Sequence, residues 1–227
     1  MELILGQNMV IPTKKTKVQI VVSNNKHSLL DFSAYLLSHP SQKVRGDDDM
    51  VFYGQPSNNQ KTVALSVTAN GDTEFLMDLA NVDPQIKKIA ICVTLDDRSK
   101  TLQAIDGIAI KFKQGNKNIA SAALDGKDHS EAALIIAEFY RYRAEWKLRI
   151  LGQGFNGGLK PLAEHFGVEI AEEESVHKPQ QDIQPAPPPI IPHTPTIEAP
   201  SFSKVLKDVF ASPIKLMEKR KNQKIFT

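Results

Sequence analysis

From residue 16 to residue 112 the chain alternates between short apolar, β-branched runs and clusters of turn formers. The runs are TKVQIVV (16–22), MVFY (50–53), TVALSV (62–67), EFLMDL (74–79), KIAICVTL (88–95) and DGIAIKF (106–112). The separators SNNKHS, GQPSNNQ, TANGD, NVDPQ and KQGNKN are rich in Asn, Asp, Gly, Ser and Pro. Many short strands at such spacing predict an all-β sandwich or barrel. EFLMDL alternates cleanly, with Phe75, Met77 and Leu79 on one face of a half-buried strand.

EAALIIAEFYRYRAEWKLRIL (131–151) carries two readings. Its strong helix formers favour a helix on propensity alone. As strands, Leu134, Ile136 and Glu138 alternate with Ile135, Ala137 and Phe139, and a turn near Tyr142 to Glu145 leads into Trp146–Ile150. LKPLAEHFG (159–167) predicts a short helix, with Pro161 in its first turn and Gly167 as its stop.

Composition changes near residue 171. Eight of the 14 prolines fall between Pro179 and Pro200. Proline donates no backbone hydrogen bond and holds its predecessor extended, so a disordered, semi-rigid Pro-rich linker is expected over 171–200. That linker sets five acids against one lysine, whereas 201–227 sets seven Lys/Arg against two acids. The overall net charge of +2 hides this contrast and argues against a generally basic nucleic-acid binder. In the tail, Val205, Leu206, Val209 and Phe210 gather on one face of a short amphipathic helix ringed by lysines. Such a tail docks in a partner's groove, lies on an anionic membrane surface, or packs on its own domain.

The single cysteine, Cys92, lies in an apolar run and reads as a small buried hydrophobe, which suits a reducing compartment. MELILGQNMVIPTKK lacks the layout of a secretory signal, and no stretch approaches the ~20 apolar residues of a membrane span. A cytoplasmic location is expected, with the tail allowing peripheral contact at the inner face of the membrane. No nucleophile elbow, Walker loop, dinucleotide fingerprint, paired-cysteine zinc site or HExxH motif appears. The six histidines are dispersed, and GQGFNGG (152–158), lacking a following Lys-Ser/Thr, reads as a loop of tight turns. Acids do cluster in turns: GDDD (46–49), NGDTE (70–74), and Asp31 opening DFSAYLL. Hard cations take several oxygen ligands from such loops; solvated turn formers are the plainer alternative.

In order, DFSAYLL, KVRGDDDMVFYGQ, GDTEFLMDL, ALIIAEFYRYRAEWKLRILGQGFNGGL and HFGV resemble the TerD family of tellurite-resistance and stress proteins. The most specific block is the Glu-x-Tyr-Arg run, Trp-Lys, Gly-Gln-Gly and Gly-Gly-Leu. The resemblance covers about residues 1–170. It implies a two-sheet β-sandwich with one or two short helices, and reads 131–151 as two strands. It also implies a non-catalytic role in tellurite and chemical-stress resistance as a scaffold, other tellurite-resistance proteins as partners, and calcium held by acidic loops at one end; the small charge of the body and the lack of Tyr or Trp in the tail speak for no nucleic acid as partner. LLDFS keeps Asp31 but has Leu29 where the family has an earlier acid. SVT replaces a Gly-Asp-Asn loop, and Gly71-Asp72-Thr73-Glu74 is one carboxylate short. The expected calcium site is therefore weakened or lost, with Asp31, Asp47, Asp48, Asp49, Asp72 and Glu74 as its candidates. A metal-free adaptor is the competing expectation.

Overall fold

The structure is a computed structural model that describes residues 1–11, 18–23, 30–95, 97 and 99–168. The Pro-rich linker (171–200) and the basic tail (201–227) lie outside the described residues.

Among the described residues, eleven strands and one α-helix follow in chain order. They are β1 (Asn8–Ile11), β2 (Val18–Ser23), β3 (Leu30–Ser38), β4 (Met50–Val51), β5 (Val63–Val67), β6 (Thr73–Met77), β7 (Ile86–Leu95), β8 (Gly107–Gln114), β9 (Lys117–Asp125), β10 (Ala133–Tyr142), β11 (Glu145–Phe155) and α1 (Leu159–His165). A six-stranded sheet runs β1-β11-β10-β7-β3-β4 and a five-stranded sheet β5-β6-β2-β8-β9, with every pairing between these strands antiparallel. The inner faces share one apolar core. Phe75, Met77, Ile110 and Phe112 come from one sheet, and Ile89, Ile91, Phe139 and Leu148 from the other. Phe112 and Phe139 meet edge-on across the layers, 6.2 Å between ring centres.

The alternation expected in EFLMDL holds, since Phe75, Met77 and Leu79 are all fully buried. Residues 133–155 form an antiparallel hairpin, not a helix, and the reason is burial on both sides. Seven consecutive β10 residues, Ala133–Phe139, are buried. A helix presents one apolar stripe, but a central strand covered on both faces can be apolar throughout. The chain reverses between Tyr142 and Glu145, with Arg143 at φ 56. A bulge between Ile135 and Ala137 breaks the simple alternation. It places Phe139 on the core face with Leu134 and Ile136, and turns Glu138 to the outer face.

MVFY contributes only a two-residue strand; Phe52 continues as an isolated bridge to Gln55. Lys117 and Asn118, which read as part of a turn cluster, open β9. GQGF is likewise the end of β11, so only Asn156–Gly158 turns. Its glycines serve close packing: a Cβ on Gly154 would stand 2.3 Å from Cδ of Glu131, and one on Gly152 would stand 3.0 Å from the His129 ring. Helix α1 ends as expected, with Gly167 at φ 82. No helix among the described residues is long and apolar enough to cross a membrane.

Candidate functional site

Three places bring polar chemistry together: the turn that leads into β4, the tip of the β5–β6 hairpin, and the outer face of the six-stranded sheet.

Asp47, Asp48 and Asp49 form a single 3-10 turn before β4. Asp49 is buried, and both its carboxylate oxygens accept from Arg45: Nε at 2.7 Å and the backbone N–H at 3.1 Å on one, Nη2 at 2.8 Å on the other. Arg45 Nη1 also donates to Asp83 Oδ2 at 2.6 Å. This bond, with the Gln85 amide, holds Asp83 below the usual carboxylate range, and the two acids raise the guanidinium's own pKa. Gln55 Nε2 donates to the carbonyls of Asp47 and Met50, and Asn59 to the Asp48 carboxylate. Burial, then Asp48, pushes Asp47 upward. The GDDD run is therefore a cup fastened to its own arginine.

Asp72 and Glu74 lie elsewhere. Thr68 and Asp72 close the β5–β6 turn through Thr68 N–H to the Asp72 carbonyl (2.8 Å) and Asp72 N–H to Thr68 Oγ1 (3.1 Å), with Gly71 at φ 87. Glu74 pairs between Ser66 and Val21 in the five-stranded sheet. Asp31 sits at the start of β3 opposite Thr94. Since Met50 opposes Tyr35, Asp49 lies beside Leu36, five residues along β3 from Asp31. That is roughly 16 Å at the usual rise per residue. The Asp47–Asp49 turn is thus a separate place from Asp31, and Asp72 and Glu74 belong to the β5–β6 hairpin of the other sheet. Among the described residues no three His, Cys, Asp or Glu side chains gather as a metal-ion site. Calcium takes about six to eight oxygens, and the candidate side chains do not by themselves supply that set among the described residues.

The third place was marked in the sequence only by the Glu-x-Tyr-Arg and Trp-Lys block. Glu138 is 4% exposed on the outer sheet face, where Lys88 Nζ (2.9 Å) and Arg149 Nη2 (2.7 Å) each take one of its oxygens. Arg141, one strand position beyond Tyr140, points the other way. It donates to the carbonyls of Ile86 (3.0 Å) and Val82 (2.8 Å) and lies 4.5 Å over the Trp146 ring. Trp146 Nε1 donates to the Leu79 carbonyl at 2.9 Å. Arg141 and Trp146 therefore fasten the hairpin to the segment that joins the two sheets. Burial lowers the Arg141 pKa.

Beside Glu138 the outer face is covered by α1. Phe166 stacks on Tyr35 with 4.5 Å between ring centres, and Leu162, Ala163 and Val168 are buried with it. Cys92 on the same face is fully buried, as expected, and burial raises its thiol pKa well above the ordinary value. His165 is held below its usual pKa by partial burial, then by Lys43 and Lys88.

A two-sheet antiparallel sandwich with a fastened acidic turn, a stapled terminal hairpin and a helix across one outer face defines an all-β sandwich class. The TerD domain matches residues 1–166, and the chain belongs to that family. A tellurium resistance protein TerA of Alcaligenes sp is 40% identical over 124 residues, 55% of this chain and 36% of that protein. The chain thus spans about a third of that relative's length. Tellurium resistance protein TerD of Serratia marcescens is 31% identical over 153 residues, 63% of this chain and 79% of that protein. Among solved structures, a homologue of telluride resistance protein (TerD) from Streptomyces coelicolor A3(2) superposes with TM-score 0.53. It is 17% identical and covers 68% of this chain and 99% of the other. At that identity the likeness speaks for the fold.

Proposed function

We propose that this chain is a tellurite- and chemical-stress-resistance protein that acts by binding rather than by catalysis. The observation that carries this reading is the TerD-domain match along the whole described sandwich, supported by the tellurium-resistance names of its relatives. In this reading it is a scaffold in the cytoplasm, its partners are other tellurite-resistance proteins, and the basic tail recruits it to a partner or to the inner membrane surface. Thiol chemistry on tellurium oxyanions would fall to Cys92, and a buried, protonated thiol is a poor nucleophile.

The test is survival on tellurite of cells that depend on the full chain or on its Cys92→Ala variant. Retained protection supports binding. Loss of protection by a variant that keeps its fold and melting transition would replace the reading with a redox enzyme.

A specific observation favours the metal-free form of the scaffold: the Asp49 carboxylate is occupied by Arg45. Calcium is at most a weak ligand here. Calorimetric titration of the full chain should give no heat at micromolar Ca²⁺ and no rise in melting temperature; stoichiometric micromolar binding would eliminate the metal-free form.

A further inference from the structure

Strand register sets out the side chains on the outer face of the six-stranded sheet in rows. One row crosses four strands as Val10, Lys147, Tyr140 and Lys88. The next reads Asn8, Arg149, Glu138, Ala90 and Tyr35, whose far end is capped by Phe166. Tyr142 and Glu145 face each other at the hairpin's tip. Helix α1 covers the Tyr35 side, while the face toward the tip of the β10–β11 hairpin and β1 remains open: Tyr142 is 47% and Val10 43% exposed.

The open part is cationic. Lys88, Arg143, Lys147 and Arg149 lie there, with Lys43 beside His165, against Glu138 and Glu145. Glu138 is already shared by Lys88 and Arg149, and the ion pairs among the described residues do not include Arg143 or Lys147. Arg143 and Lys147 thus have aromatic neighbours but no carboxylate partner among those ion pairs.

The aromatic rings narrow the class of anion. Lys147 Nζ stands 4.4 Å from the centre of the Tyr142 ring and Arg143 Cζ 5.3 Å from it, while Arg149 Cζ stands 5.5 Å from Tyr140. A nucleobase needs a bare ring face for stacking, and these faces carry cations instead. Carboxylates need no ring face. Lys147 and Arg149 are alternate residues of one strand, about 7 Å apart, which is also the spacing of alternate side chains in an extended peptide. Val10 and Tyr142 add apolar contact at the margin.

We propose that the outer face of the β10–β11 hairpin, through Lys88, Tyr140, Tyr142, Arg143, Lys147 and Arg149, docks an extended acidic segment of a partner polypeptide. Cys92 lies under the same face but is fully buried, and the acidic turns contribute no residue to the surface, so the proposal stands whether or not the resistance reading holds. Lys147 and Arg143 supply steering and the main ionic contacts. Lys88 and Arg149, fixed by Glu138, supply a rigid second rank.

The experiment is fluorescence anisotropy of the full-length protein with a labelled peptide of alternating Glu and Ser at low salt. Saturable binding is expected, weakened about tenfold or more by Arg143→Glu with Lys147→Glu and by a smaller factor by Arg143→Gln with Lys147→Gln. The neutralised pair keeps the comparison if the reversed pair does not fold. A control with Lys219→Glu and Lys221→Glu in the basic tail should bind within about twofold of the parent, because every contact proposed here lies on the hairpin face. Loss of binding in the tail control with none in the hairpin variants would overturn the proposal. So would tighter, hairpin-dependent binding of a single-stranded oligonucleotide or of phosphatidylserine vesicles, which would reassign the face to nucleic acid or membrane.

Discussion

The two sheets share a core but have unlike outer faces. On the five-stranded sheet the pattern is plain. In β8, Ile108, Ile110 and Phe112 are buried while Ala109 and Lys111 are exposed, and β9 alternates in the same way from Ala120 to Asp125. On the six-stranded sheet β7 and β10 are buried almost continuously, because α1 covers one part of the outer face and an ion-paired Glu138 fills the next. One sheet therefore uses its second face for solvent, and the other uses it for a small second core with a charged border. A sheet face that has acquired its own packing can position side chains for a partner, and a face of independent solvated residues has less means to do so.

The sharpest way to break this comparison is to remove the cover. Phe166 is 1% exposed and stacked on Tyr35. Phe166→Ala should destabilise the protein by about 3 kcal/mol, the low end for deleting a buried aromatic, since the site is near the surface and can partly collapse. The outward residue Lys111 of the other sheet should cost no more than about 0.5 kcal/mol as Lys111→Ala. Urea unfolding of both variants measures the contrast. Equal losses would mean that α1 contributes no second core.

A smaller effect is expected at the charged border. Glu138→Gln keeps the shape of the side chain but leaves Lys88 and Arg149 facing each other without their shared anion. Removing one member of a fully buried pair costs about 3–5 kcal/mol. Here the partners are partly exposed, 23% for Lys88 and 40% for Arg149, so solvent screening reduces the loss to about 1–2 kcal/mol. Reversal of the Lys111 charge on the other sheet should again fall within the surface range. A Glu138→Gln protein as stable as the parent would show that the border is decorative.

The same contrast explains what could be read from the residues alone. EFLMDL and DGIAIKF were legible because a sheet with one wet face writes its pattern with period two. β10 was ambiguous because ALIIAEF is apolar on both faces, and what makes it a strand is the long-range pairing with β7 and β11. Lys117 and Asn118 read as turn because their polar side chains sit at the open end of β9. For the candidate site, the acidic residues were visible but their company was not. Asp49 looks like a free loop carboxylate until Arg45, four residues earlier, is seen to close on it and Asp83, from a distant turn, joins them. Likewise the Glu-x-Tyr-Arg spacing distinguished the family, but the division of labour within it became clear only from the register. Glu138 and Tyr140 face outward, and Arg141 is turned to the strand ends.

The finest distinction between the two sheets is in their response to acid. His165 lies where α1 meets the charged border, close to Lys43, Lys88 and Glu138, and the described strands of the other sheet carry no histidine. Partial burial and the two lysines depress its pKa, while Glu138 opposes them. The folded state therefore favours the neutral ring. Its contribution to stability is fully present above the unfolded histidine pKa of about 6.5 and is lost as the pH falls from there through the lowered folded value. His165→Gln should flatten that part of the stability–pH profile, and Lys88→Gln, by removing one opposing cation, should move the His165 titration upward. Proton NMR of the imidazole in the parent and in Lys88→Gln measures the shift directly. A His165 that titrates at the ordinary value in both proteins would mean that the border's charges are too well solvated to act on one another, and the claim that this face is organised would then rest on the packing under α1 alone.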